Sequence, residues 1–165
     1  MDFTDLNRGE KIAGVAGVLL ILIMFIFDWF AVKGVPDVEG LDAWQSYGFT
    51  DILLFITALA AIALAVLAAS GGEVALPVAL SSIITALGII SVILVIISII
   101  SPPDYQVPFT DQSLDTSTKA GVFLGLIAAL AVTAGGWIAM QEEGTSVADE
   151  ADRFRGGRTG PTSGP

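Results

Sequence analysis

Four long stretches of this chain contain no Asp, Glu, Lys or Arg: residues 12–27, 52–72, 74–103 and 120–141. A run of about 18 or more uncharged, mainly apolar residues crosses the ~30 Å hydrocarbon core of a bilayer as a helix. Four such runs in one short chain are hard to bury in a water-soluble fold. Composition agrees, with 54% hydrophobic and 15% charged residues against roughly 45–50% and 25% in soluble domains. In lipid, backbone groups find partners within their own helix or in a closed barrel. Barrel strands alternate over about ten residues, whereas Ile89-Ile90 and Val95-Ile96-Ile97 do not alternate. The chain is therefore predicted to be an all-α membrane protein, an antiparallel up-and-down four-helix transmembrane bundle.

The spans are expected at about 12–30, 52–69, 76–100 and 120–140, between a short N-terminus (1–11) and a disordered tail (141–165). The first apolar run ends in Phe27-Asp28-Trp29-Phe30, too bulky for signal-peptide cleavage, so an uncleaved span is expected. Thr50 is placed to cap the second span, with Asp51 at the positive end of its dipole. The break Ser70-Gly71-Gly72-Glu73 is short enough to make the second and third spans antiparallel neighbours. Pro77 suits a first helical turn, and Thr116-Ser117-Thr118 offer caps for the fourth span. Arg8 and Lys11, with Arg153, Arg155 and Arg158 in the tail, outnumber Lys33 and Lys119 in the two long connections. The excess of basic residues predicts both termini in the cytoplasm.

The outward connections are acidic (Asp37, Glu39, Asp42, Asp51, Asp104, Asp111, Asp115) and rich in aromatic residues. Trp29, Phe30, Trp44, Tyr47, Phe49, Tyr105 and Phe109 are expected as a collar at the headgroup level, with 41–49 as an interfacial turn. Small residues allow helix backbones to approach closely in lipid. Gly121, Gly125, Ala129 and Thr133 repeat every four residues in the fourth span, and Thr57, Ala61, Ala65 and Ala69 do so in the second. Ala13 and Gly17 supply the first span, and Ser81, Thr85, Gly88, Ser91 and Ser98 share one face of the third. These stripes are expected to face inward as helix-packing residues. The Gly121/Gly125 pair serves an intramolecular contact or a dimer.

Chemistry is constrained mainly by what is missing. The chain has no Cys and no His, which removes disulfides, thiolate chemistry, the usual zinc sites and a Ser-His-Asp triad. Its net charge of −10 argues against nucleic-acid binding, which needs a basic footprint. Asp28 is the one acidic residue embedded in an apolar span and is a candidate ion site, balanced by its place beside Trp29 near water. The hydroxyl face of the third span is a candidate polar path, or a set of bonds to carbonyls one turn back. No catalytic, metal or cofactor-binding residue is expected.

The pattern Leu6-x-Arg8-Gly9-Glu10-Lys11-Ile12-Ala13-Gly14, then Asp28-Trp29-Phe30, Ala43-Trp44 and Phe49-x-Asp51-Ile52-Leu53-Leu54, with Gly135-Gly136-Trp137, resembles a family of small bacterial four-span membrane proteins without an assigned activity. The resemblance covers about residues 6–140 and implies a four-helix inner-membrane protein; it adds no chemistry. The expected function is non-enzymatic: a structural or accessory partner in the cell envelope, multi-pass in the inner (plasma) membrane. Its partners would be the lipid bilayer and a second copy or another membrane protein. The alternative is a small oligomeric transporter or channel.

Overall fold

The computed structural model describes residues 6–33, 40–46, 48–71, 80–106 and 113–144. In chain order the elements are α1 (Arg8–Ile26), β1 (Phe30–Val32), α2 (Ala43–Ser46), α3 (Phe49–Ala69), α4 (Leu80–Ile100), β2 (Tyr105–Gln106), β3 (Ser113–Leu114), β4 (Thr116–Thr118) and α5 (Ala120–Glu142). The four long helices have 19, 21, 21 and 23 residues, or about 28–35 Å at 1.5 Å per residue. Each is long and apolar enough to cross a membrane. Pro77, the aromatic residues Tyr47 and Phe109, the loop acids Asp37, Glu39 and Asp111, and the tail beyond 144 lie outside the described residues.

The helix ends correct several expectations. α1 begins at Arg8 because Asn7 and Glu10 form a capping box. The Glu10 N–H donates to Asn7 Oδ1 at 2.7 Å, and the Asn7 N–H donates to Glu10 Oε2 at 2.8 Å. Two donors orphaned at the helix start are thereby satisfied. At its other end α1 stops at Ile26 and does not reach Phe30. The Trp29 and Phe30 N–H groups turn away to the Leu41 carbonyl, at 2.7 and 3.1 Å, and Leu41 N–H donates back to the Phe30 carbonyl at 2.7 Å.

α3 starts at Phe49 with Gly48 at its N-cap and no capping side chain, so Thr50 sits inside the first turn. The Thr116-Ser117-Thr118 segment is strand β4, and Lys119 takes the N-cap of α5. Backbone carbonyls replace the missing cap there. Lys119 N–H donates to Trp29 O at 2.8 Å and Gly121 N–H to Asp28 O at 3.0 Å.

The fold is mostly helical, and its connections add short strand pairs that the sequence did not announce. β1 pairs antiparallel with β4 in the register Phe30↔Thr118, Ala31↔Ser117 and Val32↔Thr116. β2 pairs with β3 through Tyr105↔Leu114 and Gln106↔Ser113. The physical reason is that chain leaving one helix and entering another must find partners for its N–H and C=O groups when it runs beneath other chain. Thr116 Oγ1 adds a bond to Pro103 O at 2.7 Å and ties the α4 exit to the same layer.

Among the long helices, α1 packs between α3 and α5, and α4 packs against α5 and α3. Gly9 meets Ala139 and Gly135 meets Ala13, so residue numbers fall along α5 as they rise along α1. Gly88 against Thr133 and Gly136 against Thr85 give α4 the same relation to α5. The buried residues of α5 are largely Gly and Ala, and those of α1 include Gly9, Ala13, Gly14, Ala16 and Gly17. Bulky side chains such as Val15, Phe25, Ile93 and Ile127 are turned outward. Apolar burial gives little drive between helices in lipid, so close van der Waals contact through small residues holds them together.

Candidate functional site

The most built region lies where α1 ends and α5 begins. Trp29, expected in an interfacial collar, is completely buried, as is Phe30. A Cβ on Gly125 would collide with the six-membered ring of Trp29, and one on Gly121 would meet the Asp28 carbonyl and lie 2.7 Å from Trp29 Cδ1. The two glycines, one helical turn apart, form the floor of a socket for the indole. Trp29 Nε1–H donates to the Ile23 carbonyl at 3.1 Å, which satisfies its polar edge inside the apolar pocket. Leu20, Met24, Leu54, Val95 and Val122 complete this core cluster. Of the other aromatic residues, Trp44 stacks on Phe25 with centroids 5.7 Å apart and meets Phe55 edge-on at 5.5 Å. Phe49 is exposed.

The remaining packing stripes occupy the helix seams. A Cβ on Gly17 would come within 2.8 Å of the Ala58 carbonyl and 3.1 Å of Ala61 Cβ; Ala65 faces Gly14. Ala129 and Ala61 are fully buried, whereas Ala65 is half-buried. On α4, Ser81, Thr85, Gly88, Ser91 and Ser98 are all buried. Thr85 Oγ1 donates to Ser81 O at 2.8 Å, Ser98 Oγ to Leu94 O at 2.9 Å and Thr133 Oγ1 to Ala129 O at 2.8 Å. Each of these hydroxyls returns to a carbonyl one turn back in its own helix. Thr57 Oγ1 does the same to Leu53 O at 2.8 Å and lies 3.0 Å from Ser91 Oγ. A hydroxyl has one hydrogen, so Ser91 donates to Thr57 and links α4 to α3.

Two carboxylates bear on the candidate ion site. Asp28 lies beyond the end of α1 and is exposed, its side chain resting against Gly40. Asp51, read from sequence as a dipole partner and as one of the outer acidic residues, is 1% exposed in the first turn of α3. At the opposite end, Glu142 and Glu143 continue α5 and its C-cap beyond the expected limit of 140. Glu142 Oε2 accepts from Gly9 N–H at 3.2 Å, and Glu143 Oε2 accepts from Ser81 Oγ at 2.6 Å. Negative side chains thus meet the N-terminal turns of α1 and α4, where the helix dipole is positive.

Sequence reasoning missed the Trp29 socket, the burial of Asp51, the Glu142/Glu143 ties and the α1–α5 contact at Gly9 and Gly135. Signals existed for some of them. Asn7-x-x-Glu10 is a capping-box spacing, and the glycine pair implied a large neighbour as much as a second helix.

What fold and interior define together is a class: a helical membrane protein with four helices able to span a bilayer. No family model, curated protein or solved structure matches the chain.

Proposed function

We propose that this protein is a non-enzymatic, multi-pass component of the inner (plasma) membrane that serves as a structural or accessory partner in the envelope. Its four helices form an antiparallel up-and-down bundle with both termini in the cytoplasm. This matches what the resemblance to small bacterial four-span proteins implies. The observation that carries the reading is how the helices meet: Trp29 sits on a two-glycine floor at the strand end, and the helices below pack through Gly, Ala and back-bonded hydroxyls. Seams packed this closely suit a rigid scaffold better than a solute path. Purification of the full chain from native membranes in mild detergent, followed by identification of co-purifying proteins, tests this. A stoichiometric membrane-protein partner is expected; purification of the chain alone, with solute flux in liposomes, would refute it.

The buried carboxylate of Asp51 favours a second reading, a small oligomeric transporter or channel, because ionisable groups within membrane spans often mark ion and proton routes. Proton uptake by proteoliposomes, abolished by Asp51→Asn and retained in Asp28→Asn, would establish that reading. An equal response in all three proteins would dismiss it.

A further inference from the structure

An apolar groove of about 660 Å³ runs along the outside of the α1–α3 seam. Gly14 and Ala65 form its floor, because a Cβ on Gly14 would lie only 2.5 Å from that of Ala65. Val15, Val18 and Leu19 of α1 and Ile62 and Val66 of α3 form its walls. The small pair brings the two backbones together while the longer neighbours on either side stand up, which leaves a furrow. Its lining is almost wholly hydrocarbon, with one cationic side chain, Lys11, at the rim. Lys11 and Arg8 are both exposed and lie three residues apart on one helical face, as do Lys11 and Val15 at four.

From Lys11 to Leu19 the groove runs about 12 Å along the helix at 1.5 Å per residue. That is within one leaflet of a ~30 Å core. A cationic rim, then a furrow of apolar side chains ending near mid-membrane, matches an anionic phospholipid in both charge and shape. Its phosphate would sit at Lys11 and Arg8, and one acyl chain would lie on Gly14 and Ala65. A lysine suits the rim because its stem covers apolar surface while the ammonium reaches the headgroup level. None of the groove's lining residues is acidic, and the carboxylates at this end of α1, Glu10 and Glu142, accept from the Asn7 and Gly9 N–H groups.

We propose that the α1–α3 groove is a binding site for one anionic phospholipid of the surrounding leaflet. The proposal rests on the reading of α1 and α3 as membrane spans. In the test, the full chain is held in mixed micelles containing equal phosphatidylglycerol and phosphatidylcholine with the same acyl chains. Lipids retained through native mass spectrometry are then counted. One phosphatidylglycerol is expected in preference. A basic residue near an anionic surface is worth a factor of about five, so Lys11→Gln and Arg8→Gln should each lower the ratio of the two lipids about that much. Because the ratio is read within one sample, loss of protein does not alter it.

Val18→Phe, which places a ring in the groove, should reduce retention of both lipids and leave their ratio unchanged. Inorganic phosphate added at equal concentration should not compete. A ratio near one in the unaltered chain, a preference that survives removal of both basic residues, or unchanged retention in Val18→Phe would each overturn the proposal. The chain has no cysteine, so a single cysteine placed at the N-terminus reports its side of the membrane by labelling. Labelling from outside would refute the cytoplasmic placement of the termini while the lipid ratio is judged independently.

Discussion

Gly125→Ala is the most informative single change, because it adds one methyl group where Trp29 already lies. The ideal Cβ would overlap the Cη2 and Cζ2 atoms of the ring, with Cζ3 at 3.3 Å. Trp29 has no room to retreat. It is fully buried, its Nε1–H is bonded to Ile23 O at 3.1 Å, and its backbone carbonyl accepts from Lys119 N–H at 2.8 Å. The methyl group must be met by rotating the indole off its hydrogen bond or by moving α5 away from the end of α1. Overpacking of a filled core costs about 1–3 kcal/mol, and loss of the indole bond adds about 1 kcal/mol. Gly125→Ala is therefore expected to destabilise by about 2–4 kcal/mol. Unfolding in mixed micelles with increasing dodecyl sulfate, followed by far-ultraviolet circular dichroism, measures it. Trp29→Leu should itself destabilise by opening a cavity, yet Gly125→Ala in that background should cost less than 1 kcal/mol, since the added methyl then has space. Equal costs in the two backgrounds would refute the socket. So would a change of subunit number in liposomes with no change in stability, which would assign the glycine pair to a dimer.

Three further perturbations probe the ends and the middle of the bundle. Asn7→Ala removes the side-chain half of the capping box and should cost about 0.5–2 kcal/mol in the same unfolding titration, with amide exchange accelerated first at Gly9 and Glu10. Ser81→Ala removes the bond to Glu143 and should cost about 1 kcal/mol, while Glu143→Gln, which retains an acceptor, should cost less. The Thr57→Val and Ser91→Ala double-mutant cycle should give a coupling near 0.6 kcal/mol, as for other interhelical hydroxyl pairs in lipid; zero coupling would show that the 3.0 Å contact contributes nothing to stability.

The four helices were legible because lipid imposes a demand that composition alone can express: long runs without charge, satisfied within their own backbone. The inward faces were legible for a related reason. Gly17, Ala61 and Gly88 lie on helix seams, where close approach requires small residues at helical intervals, whereas Gly121 and Gly125 face Asp28 and Trp29 beyond the end of α1. What was not legible is non-local. Ala31 and Ser117 are 86 residues apart, and neither segment alternates strongly enough to announce a strand. Trp29 was misjudged for a different reason. A tryptophan beside an aspartate at a span's end ordinarily favours the headgroup boundary, and only the distant glycine pair of α5 supplies a buried alternative. Asp51 is similar: its place in a first turn is local and readable, but its burial depends on what covers α3 from outside.

The distribution of polar bonds explains how a core with so few large side chains holds one register. Gly and Ala seams attract by dispersion at close range, yet a stripe repeating every four residues packs almost as well after a slip of one turn. The directional bonds sit where such a slip would break them. At one end, Gly121 N–H reaches Asp28 O, Lys119 N–H reaches Trp29 O, and β1 pairs with β4. At the other, Glu142 meets Gly9 N–H and Glu143 meets Ser81. A one-turn slide of α5 along α1 is about 5.4 Å, enough to break every one of these bonds and lift Trp29 off Gly125. α1 and α4 are thus each tied to α5 at the terminal end, and α1 again at the strand end. The α3–α4 seam is thinner and has the Thr57–Ser91 pair at its middle. If this bundle opens to receive a partner helix, that seam is where the least packing must be given up.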